Sequence, residues 1–476
     1  MNHKKESIAF LVVCFLVCIL PFAGMTVAKT EVTTENKKLA ELPPIMDEDG
    51  FNTNYFPGLG SYFEDHFAFR QQLVALDSMI QSKVFQVSNM DTVVTGKDGW
   101  LYYASTMDDY LGKNTLSEKG IKNAANNLSL IQQYVTSQGG RFLLTVAPNK
   151  NSLYEEGMPY YYKKIDDTSN IDALMPELEK AKIAYCDLFE IFEREKEVLY
   201  LKRDSHWNNK GAALAYNRIM DSLGYEHDTY ETTKAVRTKT ELGDLNKMIY
   251  PLGGEPEWNY EYQKKQEFQY ITPTKSVEDA FIQTENPKKK KSLLMFRDSF
   301  GNTLLPFMAG EFKNASFTKE LPFPIERYMK EQKPDTVVIE KVERNVGDFA
   351  KEPPIMTGPV ITEVPKAENI ETKTTVSLDT AEADINYRKI HGVIDNETIK
   401  NAGRVYVTVK AGGAAATYEA FTISDEITDD GYCLYLPNEL VAGESADIEI
   451  LVEEDGKWLR AASRNMKLED AEMEEQ

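Results

Sequence analysis

Residues 292–302 read SLLMFRDSFGN. The first five residues form a short, mostly apolar run with polar neighbours on both sides, the pattern of a strand buried inside a sheet. Arg297-Asp298-Ser299 follows without a spacer, and Phe300-Gly301-Asn302 opens a candidate helix. A serine on such a strand-to-helix turn is exposed at the edge of the sheet. Its own N–H, at a helix start, can help hold an oxyanion. The turn is not the Gly-x-Ser-x-Gly elbow, and read alone Asp298 or Ser299 is a helix N-cap more often than a nucleophile.

Working outward, apolar runs alternate with helical spacing. Ile121, Ala125, Leu128, Ile131 and Val135 mark a helix that Gly139-Gly140 can end, and RFLLTVAP (141–148) is the next strand. A helix over Ile171–Ala181 leads to IAYCDLF (183–189), and Ala212, Tyr216, Ile219 and Leu223 mark another helix. DTVVIE (335–340) supplies a further strand. This alternation predicts an α/β fold with a parallel sheet flanked by helices, and ligand sites in such sheets collect at the carboxyl ends of the strands.

Upstream, GLGSYFEDHFAFRQQLVALDSMIQSKVF (58–85) has helical spacing of Phe63, Phe67, Leu73 and Leu76, and VVTGKDGWLYY (93–103) reads as two short strands joined at Asp98-Gly99. Downstream the composition changes. The proline-rich residues 351–372 read as a linker, and RVYVTV, YCLYLP, ADIEILV and EDGKWL supply strands for a β-sandwich-like domain over 373–468. The predicted organisation is therefore 1–28 signal anchor, 29–50 tether, 51–350 α/β domain, 351–372 linker, 373–468 β-sandwich-like domain and 469–476 acidic tail.

The chain has 476 residues and a net charge of −22, which repels phosphate backbones and argues against a nucleic-acid partner. Lys288–Lys291 is the only basic run and precedes a strand, as a solvated loop would. Residues 8–28, IAFLVVCFLVCILPFAGMTVA, follow Lys4 and Lys5, as the apolar region of a secretory signal does, and are long enough to span a bilayer. Thr26-Val27-Ala28 is a poor cleavage site, so an uncleaved N-terminal transmembrane anchor with the remainder outside the cytoplasm is expected. Cys14 and Cys18 lie in that run, and Cys186 and Cys433 are far apart, so no disulfide framework is implied.

Two further polar stretches join Ser299 as candidates. RDSHWNNKGA (203–212) places Asp204 two residues before His206, and a carboxylate there can fix the tautomer of the ring and stabilise its cation. A capping Asp beside a packed His fits the same tripeptide. In TVAPNK (145–150), Asn149 or Lys150 could donate to a substrate oxygen, or could belong to an ordinary strand-end loop. All three fall at corresponding ends of the predicted parallel strands. Together they supply a nucleophile, a base with its orienting acid, and donors for an oxyanion. Arg297 and Trp207 complete the candidate substrate-binding set. No cofactor is called for, and Asp204 and His206 lack a second histidine at metal-ligand spacing.

FEDHFAFR, GKDGWLYY, APNK, RDSHWNNKGA, ELGDL, FRDSFGN and PDTVVIE occur here in the order seen in the DHHW family. The stretch from Phe51 to Arg344 thereby resembles the SGNH-hydrolase-like domain of alginate O-acetyltransferases, in which Asp and His precede the serine. The resemblance implies Ser299 as nucleophile, His206 as general base and Asp204 as its orienting acid. Arg297 stands where those acetyltransferases often have glycine. It also implies an O-acetyltransferase of the cell surface acting on a cell-envelope polysaccharide, with a membrane-bound protein supplying the acetyl group. An O-acetyl esterase with the same three residues, and a non-catalytic polysaccharide-binding scaffold, are the alternatives.

Overall fold

The structure, a computed structural model, describes residues 2–28, 39–47, 50–70, 72, 73, 76, 90–250, 254–441 and 443–467. The α/β part is built on seven strands: β1 (Arg141–Ala147), β2 (Tyr185–Cys186), β3 (Gln269–Tyr270), β4 (Phe281–Glu285), β5 (Ser292–Phe296), β6 (Asn314–Thr318) and β7 (Thr336–Val342). Their order across the sheet is β2-β1-β7-β5-β6-β4-β3. The five strands from β2 to β6 in that order run parallel, while β4 and β3 add an antiparallel edge. The centre is β7, paired with β1 from Thr336↔Arg141 to Val342↔Ala147, and buried along its whole length.

Apolar side chains leave both faces of this sheet because helices cover both. The covering helices include α1 (Glu118–Ser137), α2 (Asn170–Lys180), α3 (Asn209–Leu223), α5 (Gly301–Glu311) and α6 (Ile325–Gln332), while α4 (Asp244–Ile249) packs on the hairpin of residues 93–103. One face buries Leu143, Met295 and Val338 under Ala212, Tyr216 and Ile219 of α3 and Leu304 and Met308 of α5. The other buries Leu144, Leu294 and Ile339 under Leu128 and Ile131 of α1, with Leu174 of α2 and Met329 of α6. Helix ends follow local chemistry. Ser117 caps α1 by accepting from Gly120, Ser169 and Asp172 form a capping box on α2, and Gly224 closes α3 in the left-handed conformation.

The strand run expected at 183–189 shrinks to Tyr185–Cys186, since Phe189–Arg194 is helical. The helix expected over 58–85 is seen as Tyr55–His66, and much of its second half lies outside the described residues. Val93–Thr95 and Leu101–Tyr103 pair as expected, with Asp98 and Gly99 at positive φ in the turn.

Beyond the α/β part, β8 (Glu368–Asn369), β9 (Ser377–Thr380), β10 (Tyr387–Val393), β11 (Ala402–Ala411), β12 (Ala414–Glu419), β13 (Phe421–Ile423), β14 (Gly431–Pro437), β15 (Ser445–Glu454) and β16 (Lys457–Lys467) form two sheets. Their orders are β8-β16-β15-β11-β12 and β9-β10-β14-β13, and the two enclose one core around Val407, Leu434 and Ile450. The β-rich part is docked on α1. Phe421 of β13 belongs to the α/β core, and the buried Asn127 amide donates to Phe349 O at 2.9 Å and Thr422 O at 2.8 Å. The proline-rich stretch takes part in this packing through Ile355 and Met356, both fully buried.

At the N-terminus, Asn2–Ala28 is helical. The transmembrane expectation gains no support from it: among the described residues, no helix is long and apolar enough to cross a membrane. The tail at 469–476 and most of the tether lie outside the described residues. Cys186 and Cys433 are buried free thiols, each pushed up by burial, to about 11 and about 12.

Candidate active site

At the carboxyl end of β5 the chain turns through Arg297, Asp298 and Ser299 into α5. Asp298 holds the turn. One carboxylate oxygen accepts the Phe300 N–H at 2.9 Å, the other accepts the Val342 N–H of β7 at 2.7 Å, and its own N–H donates to Glu340 Oε2 at 3.1 Å. That leaves Ser299 next to the positive end of an 11-residue helix. Ser299 Oγ lies 2.8 Å from His206 Nε2.

His206 does not sit at the end of a sheet strand, which corrects the expectation of three equivalent strand ends. Residues 201–206 form a loop before α3, closed by a single bridge between Tyr200 and Trp207. Asn208 caps α3 by accepting the Gly211 N–H at 3.0 Å. Gly211 is needed there, because a Cβ would lie 2.6 Å from Leu199 O.

Asp204 Oδ1 accepts both the backbone N–H of His206 at 2.9 Å and its Nδ1–H at 2.7 Å. An ionised carboxylate only accepts, so the proton is on Nδ1 and the Nε2 lone pair faces the serine hydroxyl. Burial works against the Asp204 charge. The bond and charge of His206 and the N–H groups of Asp244 and His206 outweigh it, bringing the carboxyl down to about 2. Burial likewise opposes the imidazolium, but Asp204, then Asp244 and Asp298, raise the His206 pKa above its ordinary value. The arrangement can take a proton from Ser299 and hold the resulting cation.

The 201–206 loop is braced from three sides. Asp244, the N-terminal residue of α4, accepts the Ser205 N–H at 2.8 Å and the Ser205 O–H at 2.5 Å, and donates its own N–H to Asp204 Oδ2 at 2.8 Å. Its second oxygen is also 3.7 Å from His206 Nδ1. Glu257 accepts the N–H groups of Lys202 at 2.7 Å and Arg203 at 2.9 Å. From below, the Lys150 ammonium donates to the carbonyls of Leu201, Lys202 and Asp204 at 3.2, 3.3 and 2.5 Å. Burial brings Lys150 down to about 8, against the pull of Asp204, Asp244 and Glu257.

Three residues expected to bind substrate do not line the cleft over Ser299. Lys150 is buried beneath the loop, also facing the Trp100 and Tyr102 rings. Asn149 is buried and spends its side-chain amide on Asp109 at 2.7 Å. Arg297 is buried too, and its guanidinium holds the carbonyls of Val277 and Asp279 at 3.0 and 2.9 Å together with the Asn302 side chain. Polar side chains at strand ends read as substrate donors in sequence, yet buried carbonyl and carboxylate oxygens nearby claim them first. Trp207 stands at the cleft, but as packing, with 1% exposure between Phe192 and the edge of Phe300. Sequence alone singles out neither Asp244 nor Glu257. The Gly243-Asp244 step inside ELGDL was the available signal, because a Cβ at Gly243 would lie 2.3 Å from Arg203 O.

Asp204, His206 and Asp244 also bring three donor atoms within 4.8 Å of one another, a spacing a metal ion could use. Each is already engaged: the carboxylate oxygens accept N–H and O–H groups, and the ring bridges Asp204 to Ser299. The cleft in front of Ser299 has a volume of about 570 Å³. Its walls include Asn209, Asn259, Asn302 and the rings of Tyr230, Tyr262 and Phe307.

Residues 93–289 match the family model of the SGNH hydrolase-like domain of the acetyltransferase AlgX. The matched stretch contains Asp204, His206 and Asp244 and stops before Ser299. The resemblance to the acetyltransferase-type SGNH-like domain is thereby shown, together with the α/β class of this part of the chain. Among solved structures, Bacillus cereus PatB1 is 19% identical with a TM-score of 0.42, over 54% of this chain and 98% of that one. A DHHW family protein from Eubacterium siraeum is 17% identical with a TM-score of 0.41, over 53% of this chain and 91% of that one. The O-acetyltransferase domain of Pseudomonas putida AlgJ is 16% identical with a TM-score of 0.35, over 54% and 92%. No curated protein matches the chain.

Proposed function

We propose that this chain is an extracytoplasmic O-acetyltransferase that passes an acetyl group through Ser299 to a hydroxyl of a cell-envelope polysaccharide. The observation that carries the reading is the continuous relay from Asp204 Oδ1 through His206 to Ser299 Oγ, with links of 2.7 and 2.8 Å, opening on a cleft. In the first half-reaction, His206 Nε2 takes the Ser299 proton as Oγ attacks the carbonyl of an acetyl ester or thioester donor. The donor's leaving group departs with that proton. In the second, a sugar hydroxyl gives its proton to His206, its oxygen attacks the acyl-serine, and Ser299 Oγ leaves and recovers the proton. The Ser299 N–H, at the mouth of α5, is the nearest candidate to hold the oxyanion.

The match to an acetyltransferase SGNH-like domain supports the acyl chemistry. The lysines before the apolar N-terminal run support export, and a membrane protein supplying the acetyl group across the bilayer would serve as donor partner. Because the cleft is open to water, hydrolysis of the acyl-serine competes with transfer, and an esterase is the second reading. Intact-mass analysis after brief exposure to p-nitrophenyl acetate tests the first step: one acetyl group on the Ser299 peptide, absent from Ser299→Ala. Adding an oligosaccharide then divides transfer from hydrolysis. Acetylation at another residue, with Ser299 unmodified, would remove the proposal.

A further inference from the structure

The cleft wall carries more than the three catalytic groups. Tyr230 stands edge-on to Phe307 at 4.8 Å and to Tyr262 at 5.1 Å, and all three rings are half-buried along one side. Such a wall offers apolar faces to the C–H faces of a sugar. The charges around it are unbalanced. Among the described residues, six carboxylates and two lysines, Lys264 and Lys265, line the cleft, and Lys265 has no ion pair. Asp228 is paired with Lys264 at 2.6 Å, Glu267 with Lys288 at 2.7 Å and Glu278 with Lys319 at 3.3 Å. Among the described residues, Glu241 accepts only from the neutral Asn259 amide at 3.2 Å, and Glu261 has no ion pair. Asp244 adds a further carboxylate behind His206, at 3.7 Å from its ring. No arginine among the described residues lines the cleft to engage a carboxylate in a two-pronged bond.

We infer that this cleft takes an acceptor saccharide without carboxylates, neutral or amino-bearing, and discriminates against polyuronates. The inference rests on the transferase reading for its chemistry, while the selectivity comes from the wall. A uronate polymer brings one negative charge per sugar into a site already negative, and like charges in a confined cleft raise the cost of each subsite. A neutral hexosamine polymer loses nothing to that field and gains the aromatic wall.

The test uses the full chain in two arms. In the first, Ser299→Ala protein is titrated at low salt with a neutral chito-oligosaccharide and with an oligomannuronate of the same length. The neutral sugar should bind at least tenfold tighter, and the gap should narrow with added salt, because exposed charges are screened. In the second, wild-type protein receives p-nitrophenyl acetate with each sugar, and O-acetylated product is measured by mass spectrometry. Failure of transfer to both sugars with binding selectivity intact would count against the transferase reading and leave the cleft assignment standing. Equal or tighter binding of the uronate, or no binding of the neutral sugar, overturns the inference. Glu241→Gln/Glu261→Gln should tighten uronate binding several-fold, and no gain there also overturns it.

Discussion

Asp244→Asn is the most informative single change in the site. The substitution keeps the shape, and an acceptor oxygen remains for the Ser205 N–H that Asp244 now binds at 2.8 Å. It removes one negative charge 3.7 Å from His206 Nδ1. At that distance a unit charge is worth about 4.5 kcal/mol at an effective dielectric of about 20 and about 1 kcal/mol in bulk water. The Asp244 side chain is 34% exposed, so screening pulls the effect toward the lower limit, about one pKa unit. The sign follows from the anion. Asp244 raises the His206 pKa, so removing it lowers that pKa and keeps the base neutral in more acid solution. The acid limb of kcat/KM for p-nitrophenyl acetate should therefore move to lower pH by about one unit. The plateau should also fall, because the Asp244 clamp on Ser205 is weakened. Steady-state rates from acid to mildly alkaline pH, with a circular dichroism control, read both effects. An acid limb that stays in place or moves upward would refute the electrostatic role assigned to Asp244.

Ser299→Ala and His206→Ala should each abolish acyl transfer, and the double variant should be scarcely worse, since linked residues are not additive. Rates near wild type in either single variant would contradict that. Lys150→Met keeps the stem but removes the donors to three loop carbonyls, and should cut kcat/KM about tenfold or more with KM changed little. A changed KM alone would instead point to direct substrate contact. For the wild type, the raised His206 pKa predicts that activity rises with pH through a midpoint above the ordinary histidine value, because the neutral ring is the base. A profile flat across that range would exclude His206 as the base. Asn127→Leu leaves the Phe349 and Thr422 carbonyls and the Thr422 N–H without their partner, which should cost roughly 2–4 kcal/mol in denaturant unfolding. Truncation near Pro365 removes Phe421 from the α/β core and should lower the unfolding midpoint of what remains. An unchanged midpoint would show the two parts to be independent.

How much of this was readable in advance depended on the range of the forces involved. The strands and helices were local matters. The apolar run 292–296 before Arg297-Asp298-Ser299 became β5, and the helical spacing from Ala212 to Leu223 became α3, because periodicity and caps act over a few residues. The candidate nucleophile, base and acid were legible as residue types, since Asp204 and His206 are two positions apart and Ser299 follows a strand. The 2.8 Å meeting of His206 and Ser299, 93 residues apart in sequence, is tertiary: it requires α3 and α5 to pack on one face of the sheet. Tertiary structure also decided against the expected donors. Lys150, Asn149 and Arg297 carry the right chemistry for substrate, but folding buries them beside unpaired carbonyls and carboxylates, and a buried polar group takes the nearest partner. The place of Asp244 was settled the same way. From the sequence it is one carboxylate among 76 acidic residues, and only the approach of α4 to the 201–206 loop brings its charge to the histidine.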